Sequence, residues 1–162
     1  MALATPFDSA KYRQVLGHFP TGVTVVTARS SDGPVGMAVG SFASVSLEPP
    51  LVAFFAGLSS ASWPQIEEAG AFCVNVLAAD QEDLSRRFAS KDDDKFTGIG
   101  WEPAVSGSPL LQGVLAWIDC DIESVTPAGD HVCVMGRVRD LDVVHDGAPL
   151  LFFRGGYGRF AV

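Results

Sequence analysis

A mainly β fold is what this sequence predicts: an antiparallel barrel, closed or partly closed, with a few short helices at its periphery. Three observations lead there. Runs of β-branched and aromatic residues recur along the chain, and some alternate apolar with polar. Short clusters of Gly, Pro, Ser and Asp separate them, with no internal repeat and no long linker. Strands and helices do not alternate regularly, which argues against a doubly wound parallel sheet. At 162 residues the chain reads as a single domain, 1–162. A chain of this size needs no disulfide or metal to complete its core.

Asp8 is placed to cap a first helix whose Tyr12, Val15, Leu16 and Phe19 share a face, and Pro20 ends it. Gly22–Ala28 reads as a strand, and Ser31–Pro34 as a turn. Val35–Val45 has no helical period; Gly36 and Gly40 divide it into two extended pieces. Pro49 and Pro50 precede Leu51–Ala56, a buried strand. Trp63–Ala69 reads as a short helix with Ser62 as N-cap and Pro64 in its first turn. Phe72–Leu77 is a strand, and Asp80 is placed to cap a helix over Gln81–Phe88. Loops fill the glycine-punctuated stretch around residues 98–113. Ala116–Val125 alternates, with Ala116, Ile118, Cys120 and Ile122 inward and Trp117, Asp119, Asp121 and Glu123 toward solvent. Val132–Val144 repeats the pattern less cleanly, and Leu150–Phe153 is a last strand. The sum is six or seven strands and two or three helices.

Composition excludes several classes of function. The chain is 48% hydrophobic and 19% charged, so it is an ordered globule. Acidic residues outnumber basic ones 19 to 11, giving a net charge of −8 and arguing against nucleic acid as a partner. Cys73, Cys120 and Cys133 are odd in number and lack CxxC spacing, so each reads as a small buried hydrophobe. His18, His131 and His145 show no metal-ligand spacing, so no metal site is expected. Met1–Arg13 lacks a basic start and an apolar stretch, and the longest apolar run, Leu51–Ala56, is too short to span a bilayer. The expected setting is cytoplasmic, away from the membrane.

Four of the eleven cations, Arg86, Arg87, Lys91 and Lys95, fall within ten residues, as if an anion were to be held. The glycines at 36 and 40, with hydroxyls at Ser41, Ser44 and Ser46, suit a planar heterocycle lying close to backbone. On composition alone, a bulged strand packing small residues against another element is the better account of them. Leu58–Trp63 puts hydroxyls before a helix, which suits phosphate or simple capping. Arg86 and Arg87 point about 100° apart on a helix, so one ligand cannot take both equally. Lys91–Lys95 reads on its own as a self-neutralising loop. His131, in the turn Gly129-Asp-His131, can exchange a proton near neutral pH or be satisfied by Asp130. Arg154–Arg159 combines cations with an aromatic ring and flexible backbone. No GxGxxG, P-loop or GxSxG motif occurs.

In this order and spacing, several of these segments resemble the flavin reductase family. They are Phe19-Pro-Thr-Gly-Val-Thr-Val-Val-Thr27, Pro34–Leu51, Phe72–Leu77, Arg87-Phe88, Lys95-Phe96, Gly129-Asp-His131 and Phe153-Arg-Gly-Gly-Tyr157. The similarity covers about residues 12–160. It implies an antiparallel, Greek-key split β-barrel binding FMN or FAD, as a homodimer with flavin sites near the subunit interface. Pro34, Val35, Gly36, Met37, Ala38, Gly40 and Ser41 would line the isoalloxazine and ribityl chain. Phe55, Ala56, Gly57, Ala61 and Ser62 would continue toward the phosphate. Arg87 and Phe88 would complete the site, with Arg87 the first choice for the phosphate charge and Lys95 the second. His131 would lie near flavin and nicotinamide as the catalytic candidate. Arg154, Gly155, Gly156 and Tyr157 would contact NADH or NADPH. Many members carry Asn where this chain has Gly40, so a side-chain contact there passes to backbone or water. The implied activity is hydride transfer from NADH (or NADPH) to flavin, with reduced flavin handed transiently to a separate monooxygenase. The alternative is a barrel that binds or carries flavin without reducing it.

Overall fold

The computed structural model describes residues 6–161. Its helices are α1 (Ser9–Leu16), α2 (Trp63–Ala69) and α3 (Glu82–Ala89). Its strands are β1 (Thr21–Gly22), β2 (Thr24–Ser30), β3 (Gly33–Val39), β4 (Ala43–Ser46), β5 (Leu51–Gly57) and β6 (Ala71–Val76). They continue with β7 (Trp101–Pro103), β8 (Pro109–Leu111), β9 (Ala116–Ala128), β10 (His131–Val143), β11 (Leu150–Phe153) and β12 (Gly156–Arg159).

Seven strands form one antiparallel sheet in the order β3-β2-β6-β9-β10-β5-β4. Val35, Val26, Val74, Cys120, Val134 and Phe54, from β3, β2, β6, β9, β10 and β5, meet in a single buried cluster. A flat sheet cannot bring its two ends to one core, so this one rolls into a barrel. The end strands β3 and β4 are not paired with each other, which leaves the barrel split. Ser41, between β3 and β4, extends the β4–β5 pairing: its hydroxyl accepts from the Phe55 N–H at 2.9 Å and donates to the Phe55 carbonyl. The mainly β expectation with short helices is met.

The strands are more numerous than the sequence predicts. The stretch read as loops around residues 98–113 contains the β7–β8 hairpin, and β12 follows β11 through a two-residue turn. Strands of three or four residues are too short to show a periodicity of two. β2 shows no alternation for another reason. Val26 enters the barrel core, while Val25 faces a second core with Leu77, Phe88, Leu111, Val114 and Leu150, so both faces of the strand are buried.

Asp8 caps α1, accepting from the Ala10 and Lys11 N–H groups, as predicted. The other two predicted caps are corrected. Ser62 makes no cap bond; the Ser60 hydroxyl accepts from Ser62 N and Trp63 N instead. α3 starts after Gln81, not under Asp80, and the Gln81 amide bonds Ala78 N and the Gln112 carbonyl. Asp119 is a further correction. It is fully buried, accepting from both the N–H and the hydroxyl of Ser106, because the loop before β8 covers that face of β9. Asn75 is also fully buried. Its amide N–H₂ donates to the Val25 and Pro109 carbonyls, and its oxygen accepts from Leu111 N, stitching β8 to β2 and β6.

Cys73 and Cys120 are buried, whereas Cys133 is only half-buried, against the expectation for it. Burial, then the charge of Asp119, pushes the Cys120 thiol up to about 12 and Cys73 higher still, so both stay neutral.

Candidate functional site

β3 is an end strand, paired on one side by β2, so its other edge presents free backbone groups. Along that edge runs an open cleft of about 470 Å³. Residues 34–38 of β3 form one wall. Gly57, Ser59–Ser62 and Gln65, at the end of β5 and the start of α2, form the second. Phe88–Ser90 from α3, with Lys91, Asp92, Asp93, Lys95 and Phe96, form the third.

Lys95 is the cation built into this wall. Its ammonium donates to the Phe88 carbonyl at 3.2 Å and the Gly36 carbonyl at 3.5 Å. An ammonium has three donors, so one remains for a ligand. Partial burial lowers its pKa from the ordinary lysine value, and the charge of Asp92 opposes that shift. Across the cleft, Ser62 is nearly buried yet bonds no helix N–H, which leaves its hydroxyl to the cleft. Ser60 is committed, capping α2 and donating to Met37 Sδ at 3.9 Å. Cation, hydroxyls and a free backbone edge together fit a planar heterocycle carrying a phosphate.

The expected residues do not all come to one place. Pro34, Val35, Gly36, Met37, Ala38, Gly57, Ala61, Ser62, Phe88 and Lys95 come together in the cleft. Gly36 has a reason of its own there: a Cβ on it would stand 2.8 Å from the Phe88 ring, so ring packing already requires the glycine. Gly40 and Ser41 lie at the split of the barrel; a Cβ at Gly40 would meet the Thr21 hydroxyl at 3.3 Å. Phe55 lies opposite Cys133 in the β5–β10 ladder, and Ala56 is fully buried in the core. Arg87 turns away and donates to the Thr97 carbonyl at 2.6 Å, while Arg86 pairs with Glu82. His131 opens β10 directly opposite Gly57; its Nε2 is 3.7 Å from where a Gly57 Cβ would be. Its Nδ1 bonds the Asp130 carboxylate at 2.7 Å, and this contact holds Asp130 below the usual carboxylate range. Gly156 and Tyr157 lie on β12, where the Tyr157 hydroxyl bonds Ser85 at 2.9 Å. Arg154 and Gly155 border a separate cleft against α1.

Gln65, Ser90, Asp92, Asp93 and Phe96 line the first cleft without having been expected there, and Lys91 lines it although it reads as a solvated counter-charge. Gln65 was findable, one turn into a helix whose start was already a candidate. The others follow from the path of a loop, which carries no periodicity.

A family model, "Flavin reductase like domain", matches residues 16–161. The chain belongs to the flavin reductase family. It is 58% identical over 155 residues to a flavin reductase of Pseudomonas putida, covering 95% of this chain and 91% of the relative. A reductase subunit of a flavin-dependent monooxygenase, HsaB of Rhodococcus jostii, is 51% identical, with 95% and 79% covered. Among solved structures, nitrilotriacetate monooxygenase component B from Mycobacterium thermoresistibile superposes with a TM-score of 0.92 at 47% identity, covering 95% of this chain and 87% of that one. The NADH:FAD oxidoreductase SgcE6 of Streptomyces globisporus, solved with NAD and FAD fragments, gives 0.91 at 38% identity, with 99% and 98% covered. The split barrel and the expected NAD(P)H:flavin oxidoreductase activity stand with the family.

Proposed function

We propose that the Lys95 cleft holds FMN or FAD and that NADH (or NADPH) reduces the flavin there. The observation that carries this reading is the Lys95 ammonium, fixed by two carbonyls beside the free edge of β3 and facing the Ser62 hydroxyl. The flavin, when bound, supplies the redox chemistry, taking a hydride from the nicotinamide. The protein binds and orients. Residues 34–38 offer backbone donors and acceptors to the ring system, and Lys95 with Ser62 neutralises phosphate. Arg87, anchored on Thr97, shapes the loop that carries Lys95 instead of touching phosphate. His131 stands beside Gly57, a residue of the cleft wall, with Nδ1 oriented by Asp130, and from there is assigned the task of holding the nicotinamide close to the ring.

The reduced flavin leaves for a separate monooxygenase component, the arrangement named for HsaB. The chain works as a homodimer in the cytoplasm. Supporting the dimer, α1 has no buried residue while Tyr12, Val15, Leu16 and Phe19 expose apolar surface. No helix among the described residues is long and apolar enough to cross a membrane.

Anaerobic mixing of the protein with FMN or FAD and NADH or NADPH tests the reading. Bleaching of the flavin absorbance well above the protein-free rate is expected. Flavin binding with no bleaching by either nucleotide would leave only a carrier.

A further inference from the structure

We propose, on the flavin assignment above, that Asp92 and Asp93 set how readily the Lys95 cleft lets reduced flavin go: their charges offset its two lysines, so the flavin exchanges instead of staying bound. Of the side chains that line the cleft, Lys91, Asp92, Asp93 and Lys95 carry charge, and they cancel. A wall built to keep a phosphate dianion would carry a surplus of positive charge. This one has none, in a protein whose net charge is −8.

The offset is not local pairing. Among the described residues, no ion pair joins the Asp92 or Asp93 carboxylate to Lys91 or Lys95. Lys95 turns its ammonium to the Gly36 and Phe88 carbonyls, and the charge of Asp92 acts on it through space. The neighbouring Asp94 shows what a structural aspartate does in this loop. Its carboxylate accepts from Phe96 N at 3.2 Å, from Thr97 N at 3.1 Å and from the Thr97 hydroxyl, and it does not line the cleft. The Asp92 carboxylate receives only a 3.5 Å contact from the Ser90 hydroxyl, and that of Asp93 makes no hydrogen bond among the described residues. Neither carboxylate holds the loop together, and both residues line the cleft.

The charge balance of the reaction gives them a task. Hydride leaves NADH (or NADPH), which becomes NAD⁺ (or NADP⁺), and its two electrons and one proton join the flavin. Before any further proton is taken up, the reduced flavin is one unit more negative than the flavin that entered. The two carboxylates therefore oppose the product more strongly than the substrate. Both residues are exposed, so their repulsion passes through water and is screened by salt. A repulsion of that kind speeds exchange without abolishing the hold of Lys95 and Ser62.

The test is anaerobic equilibrium dialysis of the full chain, at neutral pH and low salt, against oxidised FMN, dithionite-reduced FMN and oxidised riboflavin. Asp92→Asn combined with Asp93→Asn, checked for native circular dichroism, should tighten oxidised FMN about tenfold and reduced FMN further. Riboflavin, which lacks the phosphate, should keep its wild-type affinity. Added salt should weaken FMN binding more in the double variant than in the wild type. Asp92→Glu combined with Asp93→Glu should behave as the wild type. FMN affinity unchanged or weakened in the double Asn variant overturns the release assignment, and Lys95→Met, by still weakening FMN, would then keep the flavin in the cleft. Equal tightening of riboflavin and FMN overturns it too, as does equal tightening of oxidised and reduced FMN. FMN affinity unaffected by Lys95→Met overturns the placement of the flavin and the release assignment with it.

Discussion

Lys95 shows how a single side chain can combine structure with binding. Its ammonium ties β3 to the end of α3 through the Gly36 and Phe88 carbonyls, and burial lowers its pKa. The sign of the consequence is fixed. A lysine with a depressed folded-state pKa disfavours the folded state while charged, so this contribution to stability improves as pH rises through that lowered pKa. Phosphate binding runs the other way, because it needs the proton. Flavin affinity is therefore expected to fall at alkaline pH, starting below the titration range of a free lysine. Equilibrium flavin titration across pH checks this, and Lys95→Met should remove the pH effect and weaken binding by about 1.5–3 kcal/mol. Affinity unchanged in Lys95→Met, with a loss in Arg87→Ala, would return the phosphate to the arginine that the sequence favours. Arg154 gives the complementary residue-scale case. At φ 51°, Arg154→Gly relieves left-handed strain and should stabilise the fold by about 1 kcal/mol in urea unfolding.

Among the elements, α2 and β8 depend on polar groups that hydrophobic patterning does not reveal. Ser60→Ala removes the hydroxyl that accepts from Ser62 N and Trp63 N, and should cost about 1 kcal/mol of unfolding free energy. Ser62→Ala should cost little, since that hydroxyl caps nothing, yet it should weaken flavin binding. The contrast between these two serines measures how much of the site was legible. Leu58–Trp63 stood out because hydroxyls cluster before a helix, but which one turns toward the helix depends on the path of the loop after β5. Asn75 and Asp119 were hidden for the same reason. Their partners, Pro109 and Leu111 for one and Ser106 for the other, lie more than ten residues away and meet them only through tertiary packing. The long β9–β10 hairpin was legible because its strands have period-two patterning and a two-residue glycine turn. In contrast, β7 and β12 have too few residues to signal anything.

At the scale of the whole molecule, α1 poses the remaining physical question. Eight residues are too few for a helix to persist in water on its own, and tertiary packing usually supplies the difference. Here α1 buries none of its side chains, although Asp8 caps it well. Val15 is 58% exposed and Phe19 72%, while Phe152 and Phe153 on the neighbouring β11 are 39% and 44% exposed. That much apolar surface around one helix is the signature of an interface, and a second copy of the chain is the proposed cover. Sedimentation equilibrium should therefore give twice the 17.1 kDa of one chain. Replacing Val15 with Glu and Phe19 with Ser puts charge and a hydroxyl into the contact without touching the barrel cores. The double variant is expected to sediment as a monomer with native strand circular dichroism. It should also unfold more readily, and the wild-type protein should become more stable as its concentration rises. A wild-type protein that sediments at 17.1 kDa throughout the micromolar range would remove the dimer, and α1 would then have to gain its stability from another partner.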